Sequence, residues 1–315
     1  MAAIVTEALS KSYHGHGSPF HRAATVRALH DLSIEVREAE IFGFLGPNGS
    51  GKSTTIRLLL GFLHPSAGQA SVLGHDIAGE SETIRARVGY LPGGIAFYDS
   101  MTGAEQLDYL SRLDGRPSPL RGELVERMEL SRRDLGRQIR DYSRGMRQKV
   151  GIIQAFQSDP DLAILDEPTE GLDPLMQRAF YEILEDRQRA GRTIFMSSHV
   201  LSEVERVCDR VAIVRRGELV ALTDISALLD RRRRRVELRL DGESLDLEHV
   251  PGISEVHIHE GVLTCQLEGD PGPLIAALQG VGVRDLLIEP ARLEEAFMEY
   301  YAEDGASAGG AGEAA

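Results

Sequence analysis

From its start to about residue 230 the chain alternates short apolar runs with stretches of helical periodicity, the pattern of βα units around a mainly parallel sheet. IFGFLG (41–46), DLAILD (161–166) and RTIFMSS (192–198) are rich in branched apolar residues and read as buried central strands. Each runs into a loop, and open α/β sheets bind ligands beyond the carboxyl ends of their strands. Between about 97 and 158 the pattern turns mostly helical, as in AEQLDYLSRL and ELVERMEL, and predicts a helical subdomain inserted into the first domain.

After the five arginines 231–235 the style shifts. VELRL, EVHIH and LTCQLE alternate with period two, while PLIAALQGV and ARLEEAFMEYY have helical spacing, so residues 231–303 predict a small C-terminal α+β domain after a first domain of 1–230. In the last helix Leu293, Ala296, Phe297, Tyr300 and Tyr301 fall on one face and read as a core stripe. The tail, 304–315, reads as disordered. The arginine run reads as a solvated linker, with an electrostatic contact to anionic lipid or an acidic partner loop as the sharper alternative.

Composition narrows the class. Hydrophobic residues make up 42%, enough for real cores, yet no apolar run approaches the roughly 18 residues that span a bilayer and the opening MAAIVTEALSKSY lacks a secretory pattern. A soluble, cytoplasmic protein is expected. Cys208 and Cys265 stand singly and read as buried free thiols. A formal net charge of −14 argues against broad nucleic-acid binding, which needs a basic face. The lysines are Lys11, Lys52 and Lys149, and the last two fall inside stretches suited to phosphate.

GPNGSGKST, comprising Gly46, Pro47, Asn48, Gly49, Ser50, Gly51, Lys52, Ser53 and Thr54, fits the phosphate-loop pattern GxxxxGK[ST] between a predicted strand and a helix. The glycines let successive backbone N–H groups face phosphate oxygens, Lys52 adds a mobile charge and the Ser53 hydroxyl reaches Mg²⁺. LAILDEPTEGLD (162–173) ends a hydrophobic strand with Asp166, placed to hold the metal directly or through water, and Glu167, where a base could polarise an attacking water. His199 follows TIFMSS at the same sheet edge, where a neutral imidazole can bond the γ-phosphate and the water. YSRGMRQK (142–149) offers a second anion-suited helix start, about ninety residues beyond the first.

In this order GPNGSGKST, YSRGMRQK, LAILDEPTEGLD and SSHV resemble the ATP-binding subunits of ABC transporters over residues 1 to about 230. The resemblance implies an α/β P-loop NTPase fold of ABC type, ATP and Mg²⁺ as cofactors, and an ATPase that pairs head to tail with a second copy, as a homodimer. It implies that Ser143, Arg144, Gly145 and Met146 form the signature loop on the ATP held by the partner chain, that Asp173 crosses the dimer seam, and that Tyr13 stacks on adenine.

The chain departs from the family in several places. Arg144 and Met146 replace a glycine and a glutamine of the usual LSGGQ, as in the SRGM forms of drug exporters. Gly93, in VGYLPGGIAFYDSMT, stands where a glutamine or glutamate is usual, and a glycine can neither ligate magnesium nor position water. HGHGSPFHRAAT (14–25) lengthens the link after Tyr13 and leaves Phe20 as its rival; His14, His16 and His21 there read as a polar insertion rather than a metal site. Residues 231–303 resemble, through RLEEAFMEYY, the small C-terminal domain of drug and antibiotic exporters typified by daunorubicin-resistance ATPases.

The expected function is therefore ATP-driven efflux of a hydrophobic drug or antibiotic through a separate transmembrane permease, with the subunit held at the inner face of the cell membrane and no nucleic acid involved. A soluble mechanical ATPase of the same superfamily, acting on ribosomes or DNA, is the alternative; a small-molecule kinase would have no use for a second γ-phosphate loop.

Overall fold

The computed structural model describes residues 2–14, 25–226, 233–240, 245, 247, 249–259 and 261–289. Its chain divides into two compact units, Met1–Thr223 and Asp224–Ala315.

In the first unit the strands are β1 (Ala2–His14), β2 (Thr25–Arg37), β3 (Ile41–Leu45), β4 (Ala67–Val72), β5 (His75–Asp76), β6 (Val88–Leu91), β7 (Leu162–Asp166), β8 (Thr193–Ser198), β9 (Arg210–Arg215) and β10 (Glu218–Asp224). A six-stranded sheet runs β10-β9-β3-β8-β7-β6, and its β9-β3-β8-β7-β6 pairs are parallel. β3, β7 and β8 are buried at every residue, which explains their apolar runs: both faces are covered, and the polar residues they carry, Asp166, Thr193, Ser197 and Ser198, stand at strand ends and are hydrogen-bonded. Phe42 and Phe195, register partners, stack with ring centroids 5.9 Å apart, and Phe44 lies 5.3 Å from Phe195. Deleting the Phe195 ring should leave a cavity that fully buried neighbours cannot fill. Phe195→Ala is expected to destabilise the first unit by about 3–5 kcal/mol, read as a lower urea midpoint.

A second, four-stranded antiparallel sheet, β2-β1-β4-β5, was not foreseen by the mainly parallel reading. β2 carries the period-two signal over Leu32, Ile34 and Val36, all buried, with exposed residues between them. β1 conceals it, because register shifts interrupt its pairing with β2.

The helices of this unit are α1 (Lys52–Leu59), α2 (Ser81–Arg85), α3 (Gly103–Asp114), α4 (Arg121–Arg127), α5 (Arg132–Leu135), α6 (Arg144–Phe156), α7 (Pro174–Arg189) and α8 (Leu201–Val207). α3 and α5 begin in capping boxes, Thr102 with Glu105 and Ser131 with Asp134, which satisfy donors at each helix start. α8 packs so close to β3 that a Cβ on Gly43 would lie 2.7 Å from Val204 Cγ1. Beneath it the Cys208 thiol is buried and unpaired, and burial pushes its pKa up, so it is inert.

The second unit is an antiparallel sheet of order β12-β13-β11-β14, from β11 (Arg233–Leu240), β12 (Ile253–His259), β13 (Val262–Glu268) and β14 (Val283–Glu289), with α9 (Gly272–Ala277). Val236, Leu238, Leu263, Cys265, Leu267 and Leu274 form its core. The linker reading of the arginine run gives way here: Arg233, Arg234 and Arg235 already pair with Glu268, Leu267 and Gln266. β14 was not foreseen, since DLLIE does not alternate. Phe20, His16 and His21, the helix read at 291–301 and the tail lie outside the described residues.

Candidate active site

The phosphate loop leaves β3 and turns into α1 through residues that only glycine serves. A Cβ at Gly46 would lie 2.3 Å from the Val214 carbonyl oxygen, and Gly51 takes φ +105° at the start of α1. The first intrahelical bond of α1 is Thr55 N–H to the Gly51 carbonyl, 2.9 Å, so the earlier amides stay at the helix mouth, and the first turn itself carries no acidic residue. Lys52 folds back into the loop. Its Nζ donates to the carbonyls of Gly46 (2.6 Å) and Pro47 (3.3 Å) and lies 3.2 Å from Glu167 Oε1.

Ser53 Oγ donates to Asp166 Oδ2 at 2.8 Å, and Ser197 Oγ donates to Asp166 Oδ1 at 2.6 Å. The Asp166 carboxylate is thus fixed from both sides at the end of β7. Glu167 takes φ +50°, a left-handed turn held by its N–H donating to Ser197 O and Oγ, both at 3.2 Å. That turn aims the carboxylate along the sheet edge, where Oε2 meets His199 Nδ1 at 2.7 Å. Glu167 Oε1 is buried and lacks an aligned hydrogen bond, its approach to Lys52 being a charge contact only. His199 is 47% exposed, so the far side of its ring is open.

Lys52, Ser53, Asp166 and Glu167 line a cavity of about 410 Å³ together with Tyr90 and Gly93, while His199 is outside its lining and is joined to it through Glu167. A hydroxyl, a carboxylate pair and an acceptor short of a donor form an oxygen set suited to Mg²⁺, which takes one or two protein ligands and keeps several waters. Tyr90, Arg57 and Ala28 line the cavity too and were not picked out from sequence. Tyr90 could have been, since it lies near the end of β6 at the same carboxyl edge; burial, with the Asp166 charge behind it, pushes its phenol pKa up. Gly93 has a local cause: a Cβ there would lie 3.1 Å from Asp166 Oδ2, so the loop runs its bare backbone against the carboxylate.

Other sequence-selected residues lie apart from this cavity. Ser143 caps α6, its Oγ accepting from Met146 N–H at 3.2 Å, and Arg144 pairs with Glu170. Gly145 packs against the Glu170–Gly171 turn, where a Cβ would lie 2.8 Å from the Gly171 carbonyl oxygen. Asp173 caps α7, accepting from Leu175 and Met176 N–H at 3.1 and 3.0 Å. Tyr13 is part-exposed on β1, with Lys11 Nζ 5.5 Å above its ring, and does not line the cavity.

Residues 29–170 match the family described as ABC transporter. An uncharacterised ABC transporter ATP-binding protein of Synechocystis sp. is 36% identical over 310 residues, 96% of this chain and 85% of that protein. The bacitracin transport ATP-binding protein BcrA of Bacillus licheniformis is 33% identical over 262 residues, 82% of this chain and 81% of that one. Among solved structures, an ATP-binding subunit of an ABC transporter superposes at a TM-score of 0.62 with 31% identity, over 72% of this chain and 91% of that one. A dimeric ATP-binding cassette in a post-hydrolysis state, bound to ADP and Pi, gives 0.64 with 20% identity, over 70% and 98%. Over nearly its whole length, therefore, the chain belongs to the ATP-binding proteins of ABC transporters and is an ATPase of that family.

Proposed function

We propose that this ATPase drives export of a hydrophobic drug or antibiotic through a separate membrane permease, and that two copies close around ATP to do so. One observation carries the ATP-hydrolysing part of this reading: Lys52, Ser53, Asp166 and Glu167 line one cavity at one sheet edge, with His199 joined to Glu167, through contacts of 2.7–3.2 Å. On this reading the loop amides from Gly46 to Thr54 and the Lys52 ammonium bind the triphosphate. Ser53 and Asp166 would hold Mg²⁺, which neutralises charge on the phosphate oxygens when bound. Glu167 accepts a proton from the attacking water, and His199 orients the Glu167 carboxylate through their 2.7 Å contact.

The second half rests on the separation of the two phosphate-suited loops within the chain. Ser143, Arg144, Gly145 and Met146 lie outside the cavity's lining, as expected if they serve a neighbour's nucleotide, and the superposed cassette bound to ADP and Pi is a dimer. In such a pair Asp173, beside the exposed Leu175, would sit at the seam, and Tyr13 would face the adenine. The antibiotic branch is supported by the bacitracin relative, whose match extends beyond residue 230 in length. We place the subunit on the cytoplasmic face of the membrane, held there by the permease; among the described residues no helix is long and apolar enough to cross one.

A separate groove beside Leu60 and Leu110 suits the permease. Phe62 and Leu113 are 52% and 72% exposed there, and Arg85 lies 5.6 Å over the Phe62 ring. Exposed apolar side chains with a cation at the rim fit an amphipathic segment with an acidic end. The test is Leu113→Asp in cells that co-express the subunit with its membrane permease: membrane recovery of the subunit should fall at least several-fold while ATP binding by the purified protein is unchanged. Full membrane recovery would refute this docking face.

A further inference from the structure

We infer that Glu203 is a positioning residue for ATP hydrolysis, a buried clamp between the loop that carries Glu167 and the loop that carries His199. The inference rests on the roles proposed for those two residues. Glu203 stands in the first turn of α8 and is only 8% exposed. Its Oε1 accepts from Thr169 Oγ1, two residues past Glu167, and its Oε2 accepts from Ser198 Oγ at 2.7 Å, immediately before His199. Both hydroxyls are buried as well. Among the described residues no lysine or arginine pairs with this carboxylate, so two neutral donors satisfy a buried charge.

That arrangement is unfavourable unless it fixes something, because a buried carboxylate is desolvated and a hydroxyl offsets the loss less than a cation does. What it fixes can be traced bond by bond. Ser198 Oγ also accepts from Val200 N–H at 2.9 Å, so the hydroxyl that meets Glu203 holds the backbone on the far side of His199. The Ser198 carbonyl accepts from Gly46 N–H at 3.2 Å, which ties the same residue to the start of the phosphate loop. On the other arm, the Thr169 carbonyl accepts from Leu172 N–H at 3.0 Å within the turn after Glu167. Glu203 therefore joins two loops that also meet at the sheet edge, through the Ser197–Glu167 bonds and the 2.7 Å Glu167–His199 contact. With the clamp gone, the imidazole and the carboxylate keep their chemistry but lose their common anchor, and misplacement by about 1 Å is enough to lower a rate about a hundredfold.

The experiment compares steady-state ATP hydrolysis by the full chain in five variants. Glu203→Ala should lower kcat at least tenfold and leave the KM for ATP within about twofold. Glu203→Gln, which can accept from one hydroxyl and donate to the other, should restore kcat to within about threefold of the parent. Thr169→Val removes one arm with little change of shape and should lower kcat several-fold, which keeps the test informative if Glu203→Ala folds poorly. In a His199→Ala background, Glu203→Ala should cost much less than in the parent, because one of the two groups it aligns is already gone. Parent-like kcat in Glu203→Ala and Thr169→Val, or losses that multiply fully with His199→Ala, would overturn the clamp. A parent-like rate in His199→Ala alone would instead overturn the role given to His199, and the clamp with it.

Discussion

Glu167→Gln is expected to lower ATP turnover by about 10²–10⁴-fold, the usual contribution of a general base, while an ATP-dependent dimer accumulates. The substitution keeps the side chain's length and its place between Lys52 and His199, 3.2 and 2.7 Å away, but replaces the basic carboxylate proposed to take the water's proton with a non-basic amide. Binding is driven by other groups, the loop amides, Lys52 and Ser53, which the change leaves in place. A nucleotide bound but not cleaved holds the two copies together, so the complex persists where the parent would cycle apart. Phosphate release and light scattering after gel filtration in saturating MgATP test both halves. A variant that stays monomeric, or that hydrolyses at the parent rate, would refute the role given to Glu167.

Mixing two inactive variants should restore activity. If each ATP lies between the phosphate loop of one copy and the signature loop of the other, Lys52→Ala disables a copy's own site and Ser143→Arg disables its neighbour's. Each variant alone then forms dimers with two broken sites. A mixed dimer concentrates both lesions in one site and leaves the other whole. For an equimolar mixture that exchanges freely, about half the dimers are mixed and each has one intact site of two, so about a quarter of parent activity returns if the sites act independently. The assay is hydrolysis before and after mixing, at concentrations where the dimer forms. No recovery, with mixed dimers verified by tagged pull-down, would mean that sites are completed within one chain or that both must fire together; recovery discriminates the split site from any arrangement internal to one copy.

Much of this was legible in the sequence because the chemistry sits where strands end. β3, β7 and β8 announce themselves as apolar runs with polar residues only at their ends, and the loop after each run must lie at one edge of a parallel sheet. That places Lys52, Asp166, Glu167 and His199 near one another on sequence grounds alone. The antiparallel sheet was hidden for the opposite reason. β1 shares its side chains between two partners and shifts register against β2, so its alternation is broken where the pairing is. β14 hides too, because Leu286 and Leu287 are adjacent and both part-exposed. Ser197 and Glu203 escaped notice because a serine in a strand and a glutamate in a helix carry no signal alone; they matter only through loops that the fold brings together. Arg233–Arg235 looked like solvated chain because charge was all that could be seen, whereas backbone pairing is indifferent to it.

The contact between Lys52 and Glu167 has a consequence for how strongly the loop can hold an anion. The lysine directs its charge at two carbonyls and the carboxylate, so a phosphate that engages Lys52 competes with internal partners for it. Loading is then an exchange of ion pairs, and its net strength is a difference between two attractions rather than the sum of either.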